Sequence, residues 1–149
     1  MLDPAYRLRT PRLCLRCWNP DDAPLLHAAV TESRAHLTRF IPWATDEPLD
    51  LEERVAFLRR ARARFDADDE YVYGVFDLEE RRVLGGAGLP RRIGPGAFEI
   101  GYWVHVAEIN QGFATELASA LTQAAFVLHR AERVEIHHDP DNFQSARVP

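Results

Sequence analysis

Two short runs in the second half of the chain carry most of its chemical potential. Glu99-Ile100-Gly101-Tyr102-Trp103-Val104-His105 alternates like a strand, and Gln111-Gly112-Phe113-Ala114-Thr115-Glu116 opens a helix shortly afterwards. A loop with Gly112 and the small Ala114 at a helix start leaves backbone N–H groups without partners, and these suit phosphate oxygens. The same residues also suit an ordinary tight turn. No lysine or arginine is needed for such a cradle, and the Gly-x-x-x-x-Gly-Lys-Ser/Thr pattern of a P-loop occurs nowhere in the sequence. On the strand, Glu99, Gly101 and Trp103 share one face, while Phe98, Ile100, Tyr102 and Val104 share the other.

Other candidate sets have simpler readings. Cys14 and Cys17 form a CxxC, but within a strand this odd spacing sends the two thiols to opposite faces, so inert thiols are expected rather than a metal or redox pair. His105, His137, His138, Asp139 and Asp141 look like a ligand set, yet adjacent histidines on a strand point apart; no metal is expected. Trp18, Trp43 and Trp103 read as core or groove packing. The arginines at 59, 60, 62 and 64 read as the solvated face of a helix.

Elements must hold these residues in place. Thr10 to Trp18 reads as a first strand, and Asn19-Pro20-Asp21-Asp22 supplies a cap and a first-turn proline for a short helix through about Val30. A loop with Ile41-Pro42-Trp43 follows. Leu51, Val55, Leu58, Arg62 and Phe65 recur at helical spacing behind Asp50, Glu52 and Glu53, whose charges suit a helix start. Tyr71 to Asp77, Val83 to Leu89 and Ala97 to Val104 read as three strands of an antiparallel meander, separated by Glu79-Glu80-Arg81-Arg82 and Ile93-Gly94-Pro95-Gly96. Ala114, Leu117, Ala118, Leu121, Ala125 and Leu128 form the clearest helical stripe, which should pack on the sheet. Arg133 to His138 is a last short strand, and Asp139-Pro140-Asp141-Asn142 begins another segment. The order β-α-α-β-β-β-α-β defines an α/β fold with a mixed sheet in a single domain, 1–149.

Bulk properties narrow the partners. The chain has 149 residues, 46% of them hydrophobic, enough for one compact domain. With 18 basic and 23 acidic residues its formal charge is -5, which argues against nucleic acid and suits an amine or cationic substrate. No apolar run reaches the ~18 residues of a membrane span, and the first residues lack a signal-peptide pattern. No membrane partner and a cytoplasmic location are therefore expected.

Taken together and in order, Glu99 to His105, Gln111 to Glu116 and Asp139-Pro140-Asp141-Asn142-Phe143-Gln144-Ser145 resemble the motifs of the GNAT superfamily of N-acetyltransferases, in particular its ribosomal-protein alanine/serine branch. Leu8-Arg9-Thr10-Pro11-Arg12-Leu13, Phe40-Ile41-Pro42-Trp43 and Gly85-Gly86-Ala87-Gly88-Leu89 echo it, so the likeness spans the chain. The resemblance implies an acyl-CoA N-acyltransferase fold using acetyl-CoA as cosubstrate and no metal. It implies that backbone groups of Val104 pair with the pantetheine arm. It further implies that N–H groups of Gln111, Gly112, Phe113, Ala114 and Thr115 cradle the pyrophosphate, and that Asn142 and Ser145 lie near the thiol end. Glu99 and Ser145 are the implied catalytic residues, with Glu99 at a position that serves elsewhere as general base. The alternative for Glu99 is a solvent-facing carboxylate at a strand start.

The chemistry implied is plain: an amine must lose a proton, an oxyanion needs a donor, and the leaving thiolate needs a proton. Departures from the pattern stand out. Asn110 replaces a usual glycine, a position where asparagine tolerates left-handed backbone. Ile109 occupies a position often held by tryptophan or a polar residue, and Pro149 falls where many members place an acid tyrosine, leaving the general acid unassigned. The implied acceptor is a protein or peptide N-terminus, with small amines and aminoglycosides as rivals. An acyl-CoA-binding module or an inactive fragment without turnover is the competing reading. The resemblance also implies further C-terminal strands beyond Pro149. Without them the edge of the 133–138 strand would be open, which favours a homodimer through that edge.

Overall fold

The computed structural model describes residues 6–40, 50–90, 96–127 and 131–136. Six strands form one sheet in chain order: β1 (Arg7–Arg9), β2 (Cys14–Cys17), β3 (Tyr71–Phe76), β4 (Val83–Leu89), β5 (Ala97–Val104) and β6 (Arg133–Ile136). Neighbours from β1 to β5 are antiparallel, and β6 runs parallel to β5, as a strand reached through a helical crossover must. The helices are α1 (Ala23–Phe40), α2 (Leu51–Asp66) and α3 (Phe113–Val127). The expected meander and the expected mixed α/β order are present.

Two elements differ from the expectation. The single strand expected from Thr10 to Trp18 is a hairpin, β1 and β2, because the chain turns at Thr10–Leu13. Pro11 has no N–H to give to a ladder, the Thr10 amide donates to the Leu13 carbonyl at 2.9 Å, and the Thr10 hydroxyl accepts from the Leu13 amide at 2.9 Å. The first helix does not stop near Val30 but continues to Phe40. Nothing between Thr31 and Phe40 breaks a helix, and the first proline comes only at Pro42. The extension is used: Ser33, almost fully buried, accepts a hydrogen bond from the Val106 amide at 2.9 Å, tying α1 to the loop after β5.

Caps start both early helices where the sequence places them. Asn19 and Asp22 exchange bonds across a single 3-10 turn, Pro20–Asp22, that leads into α1, and Asp50 and Glu53 form the same reciprocal box at α2. The arginines at 59, 60 and 64 are exposed as expected, whereas Arg62 lies 5.7 Å over the Tyr6 ring and pairs with Asp66.

The sheet divides the core in two. Leu117, Leu121 and Ala125 of α3 pack with Leu15, Tyr73, Leu89, Phe98 and Ile100. On the other side Leu26, Ala29 and Val30 of α1 and Leu58 and Ala61 of α2 enclose Cys14, Trp18, Phe76, Val83 and Trp103. Cys14 and Cys17 fall into different clusters, both buried as free thiols, and burial raises the Cys17 pKa to about 11. Trp18 and Trp103 are core residues; Trp43 lies outside the described residues. Flat packing of the indoles requires bare backbone beneath them. A Cβ on Gly86, the β4 partner of Trp103, would stand 2.4 Å from Trp103 Nε1, and one on Gly74 would stand 2.5 Å from Phe76 and 2.8 Å from Trp18.

Candidate active site

The site is built where β5 ends and α3 begins. Strand alternation divides β5 as expected: Phe98 and Ile100 point into the α3 core with Tyr102 and Val104 beside them, while Trp103 enters the α1/α2 core. Glu99 therefore shares the Trp103 side. It is not a solvent-facing residue, being only 5% exposed, and its amide donates to the Pro90 carbonyl at 3.2 Å. Next to it on the same face a Cβ at Gly101 would meet nothing within 4 Å among the described residues. Glu99 is thus a buried carboxylate on the sheet face it shares with Trp103.

Only part of β5 has a described neighbour on each edge. β4 pairs it as far as Val104, opposite Gly85, whereas β6 as described ends opposite Ile100. Val104 is half-buried at the C-terminal end of β5.

The loop that follows has the shape a phosphate cradle needs. Asn110 and Gly112 both adopt left-handed backbone, with φ of 63° and 80°, and α3 starts at the next residue. Asparagine supports this turn in place of glycine. By helix geometry the first amides of α3 lack intrahelical partners, and the first bond of the ladder runs from the Glu116 amide to the Gly112 carbonyl at 3.0 Å. Gln111, Gly112 and Thr115 are exposed, and Phe113 and Ala114 half-exposed, so this end of α3 faces solvent.

One neighbour of the loop was not singled out in the sequence. Arg12, in the β1–β2 turn, donates from Nη1 to the Gln111 carbonyl at 2.8 Å, pairs through Nε with Glu116 at 2.7 Å and lies 4.4 Å over the Phe113 ring. Thr10 and the Arg12 amide also bond the Glu116 carboxylate. Desolvation pushes the Glu116 pKa up, but these bonds and the Arg12 charge outweigh it and hold the group below its ordinary value. Leu8-Arg9-Thr10-Pro11-Arg12-Leu13 was the only signal in the sequence; a separation of 104 residues hid the contact.

His105 holds the other side of the loop. Its Nδ1 accepts from the Ala107 amide at 3.0 Å and its Nε2 lies 2.6 Å from Glu32 on α1. In the neutral ring the proton therefore sits on Nε2 and points to Glu32. Both ring nitrogens are engaged, so His105 anchors the loop. Asn142 and Ser145, and the histidines at 137 and 138, lie outside the described residues. Among the described residues no cluster of His, Cys, Asp and Glu is arranged to hold a metal ion, and no helix is long and apolar enough to cross a membrane.

A mixed sheet with a parallel β5-α3-β6 unit, a buried glutamate on β5 and a glycine loop at the α3 start is the framework of an acyl-CoA N-acyltransferase. Residues 12–149 match the acetyltransferase (GNAT) domain family, and the chain belongs to it. Its sequence is 27% identical over 121 residues to a probable N-acetyltransferase, YjcK, of Bacillus subtilis; the match covers 79% of this chain and 66% of that protein, just under two thirds of its length. Solved structures share the fold. The ribosomal L7/L12 alpha-N-protein acetyltransferase RimL, in complex with coenzyme A, superposes with a TM-score of 0.83 at 21% identity over 99% of this chain and 80% of that one. The microcin C7 self-immunity acetyltransferase MccE, in complex with acetyl-CoA and AMP, gives 0.81 at 14% identity over 93% and 76%. The ribosomal-protein-S5-alanine acetyltransferase of Vibrio fischeri gives 0.80 at 17% identity over 95% and 79%.

Proposed function

We propose that this protein transfers the acetyl group of acetyl-CoA to a primary amine, and that the acceptor is the N-terminus of a protein or peptide. The observation that carries the reading is the order along the chain of buried Glu99 on β5 and the left-handed turn at Asn110 and Gly112 into α3. These residues answer two needs of the reaction: a proton acceptor and backbone donors for a diphosphate. The choice of a peptide acceptor is supported by the names of RimL and the S5-alanine enzyme, which act on ribosomal proteins.

In this reading the amides of Gln111, Gly112, Phe113, Ala114 and Thr115 hold the pyrophosphate, Val104 pairs with the pantetheine arm, and Asn142 and Ser145 serve the thiol end. Glu99 takes the amine proton directly or through a water, the amine nitrogen bonds to the thioester carbonyl carbon, and the carbon–sulfur bond breaks. The thiolate leaves and takes up a proton. No metal takes part, neither nucleic acid nor membrane is a partner, and the setting is the cytoplasm. Association of two chains through the outer edge of β6 belongs to the same proposal.

The test is release of free thiol from acetyl-CoA in the presence of peptides beginning with serine or alanine, simple amines, or aminoglycosides. Release with the peptides is expected. Release only with aminoglycosides moves the acceptor to that class, cofactor binding without release favours a binding module, and no binding at all refutes the assignment.

A further inference from the structure

We propose that Arg12 is the positioning residue of the cofactor loop, setting its affinity for the diphosphate from the β1–β2 turn without touching the reacting atoms. The inference rests on the acetyl-CoA reading above. Its starting point is that one half-exposed guanidinium reaches two consecutive loop residues and the first turn of α3. Nη1 bonds the Gln111 carbonyl, Nη2 lies 3.4 Å from where a Gly112 Cβ would stand, the cation covers Phe113, and Nε pairs with Glu116.

Two physical consequences follow from this geometry. In a planar trans peptide the carbonyl and the next N–H point in opposite directions. Drawing the Gln111 carbonyl toward Arg12 therefore turns the Gly112 amide away from Arg12, outward from the hairpin, where an anion approaches the start of α3. The second consequence is electrostatic. Glu116 lies in the first turn of the same helix, and an uncompensated carboxylate there would repel a diphosphate. Arg12 compensates it through two of the bonds the carboxylate accepts, one from its backbone amide at 3.0 Å and one from Nε at 2.7 Å.

These contacts join a 46% exposed Arg12 side chain to a Glu116 side chain that is 16% exposed, so they brace the hairpin against α3 as well. The same contacts act on direction and charge at the loop, to which a diphosphate is sensitive and the pantetheine arm is not.

The experiment compares coenzyme A with pantetheine, which lacks the diphosphate, using calorimetry for the first and displacement for the second. In Arg12→Gln the ratio of the pantetheine to the coenzyme A dissociation constant should fall about tenfold, with the loss confined to coenzyme A. Arg12→Lys, which keeps charge but not the planar fork, should fall between wild type and Arg12→Gln. It carries the test if Arg12→Gln does not fold. An unchanged ratio in the variants, whether both ligands weaken equally or neither weakens, overturns the inference and leaves Arg12 as a structural brace. Wild-type protein that binds no coenzyme A refutes the proposed function itself and takes this inference with it.

Discussion

Replacing Gly112 by aspartate perturbs the cradle in two separable ways. Gly112 sits at φ 80°, where an L side chain costs roughly 1–2 kcal/mol, and aspartate falls near the lower figure because it tolerates left-handed backbone. The new Cβ would lie 3.4 Å from Arg12 Nη2, a tolerable contact that also draws the carboxylate toward that cation. A carboxylate roughly 6 Å from a diphosphate charge, at an effective dielectric between about 20 and 80, adds about 1–3 kcal/mol of repulsion, with Arg12 favouring the lower end. The repulsion, about 2 kcal/mol at mid-range, is a loss of roughly 30-fold in coenzyme A affinity, while the strain falls on the stability of the fold. Gly112→Ala carries the strain without the charge and should lose about fivefold at most. Titration calorimetry reads both, and thermal melting shows how much of the strain is taken up as lost stability. An aspartate variant that binds coenzyme A within about twofold of wild type would refute the placement of the diphosphate at this loop.

Glu99→Gln keeps the size of the buried side chain and removes the proton acceptor, so turnover should fall by about 10²-fold while coenzyme A affinity stays put; equal turnover would transfer the role to water. Gly86→Val places a branched side chain against Trp103, where even a Cβ comes within 2.4 Å, and should cost about 3 kcal/mol or more as read from the urea midpoint. Glu80 and Glu116 both have folded pKa values below the ordinary 4.5, so the unfolded chain binds more protons. Their stabilisation is complete above that value and is lost as the pH falls below it. The denaturant midpoint should therefore drop on acidification between about pH 5 and pH 3, and Glu116→Gln should flatten the drop.

Local rules explain why so much of this chain is legible before folding. The strands Val83–Leu89 and Ala97–Val104 stand where alternation and flanking turn residues put them, and Phe113–Val127 follows its apolar stripe. The caps at Asn19 and Asp50, the left-handed Asn110 and the opposed thiols of Cys14 and Cys17 are likewise consequences of residue type over a few positions. Tertiary contacts decided the rest. Whether Glu99 faced water or the interior depended on which side of the sheet α1 and α2 would cover, and no periodicity encodes that choice. The length of α1 answered to a partner at Val106, 73 residues from Ser33. Arg12 meets Gln111 and Glu116 only because the β1–β2 hairpin brings its turn against the start of α3. Propensity acts within a turn or two of chain, whereas burial, charge pairing and loop direction are set by surfaces that become neighbours only once the sheet has formed.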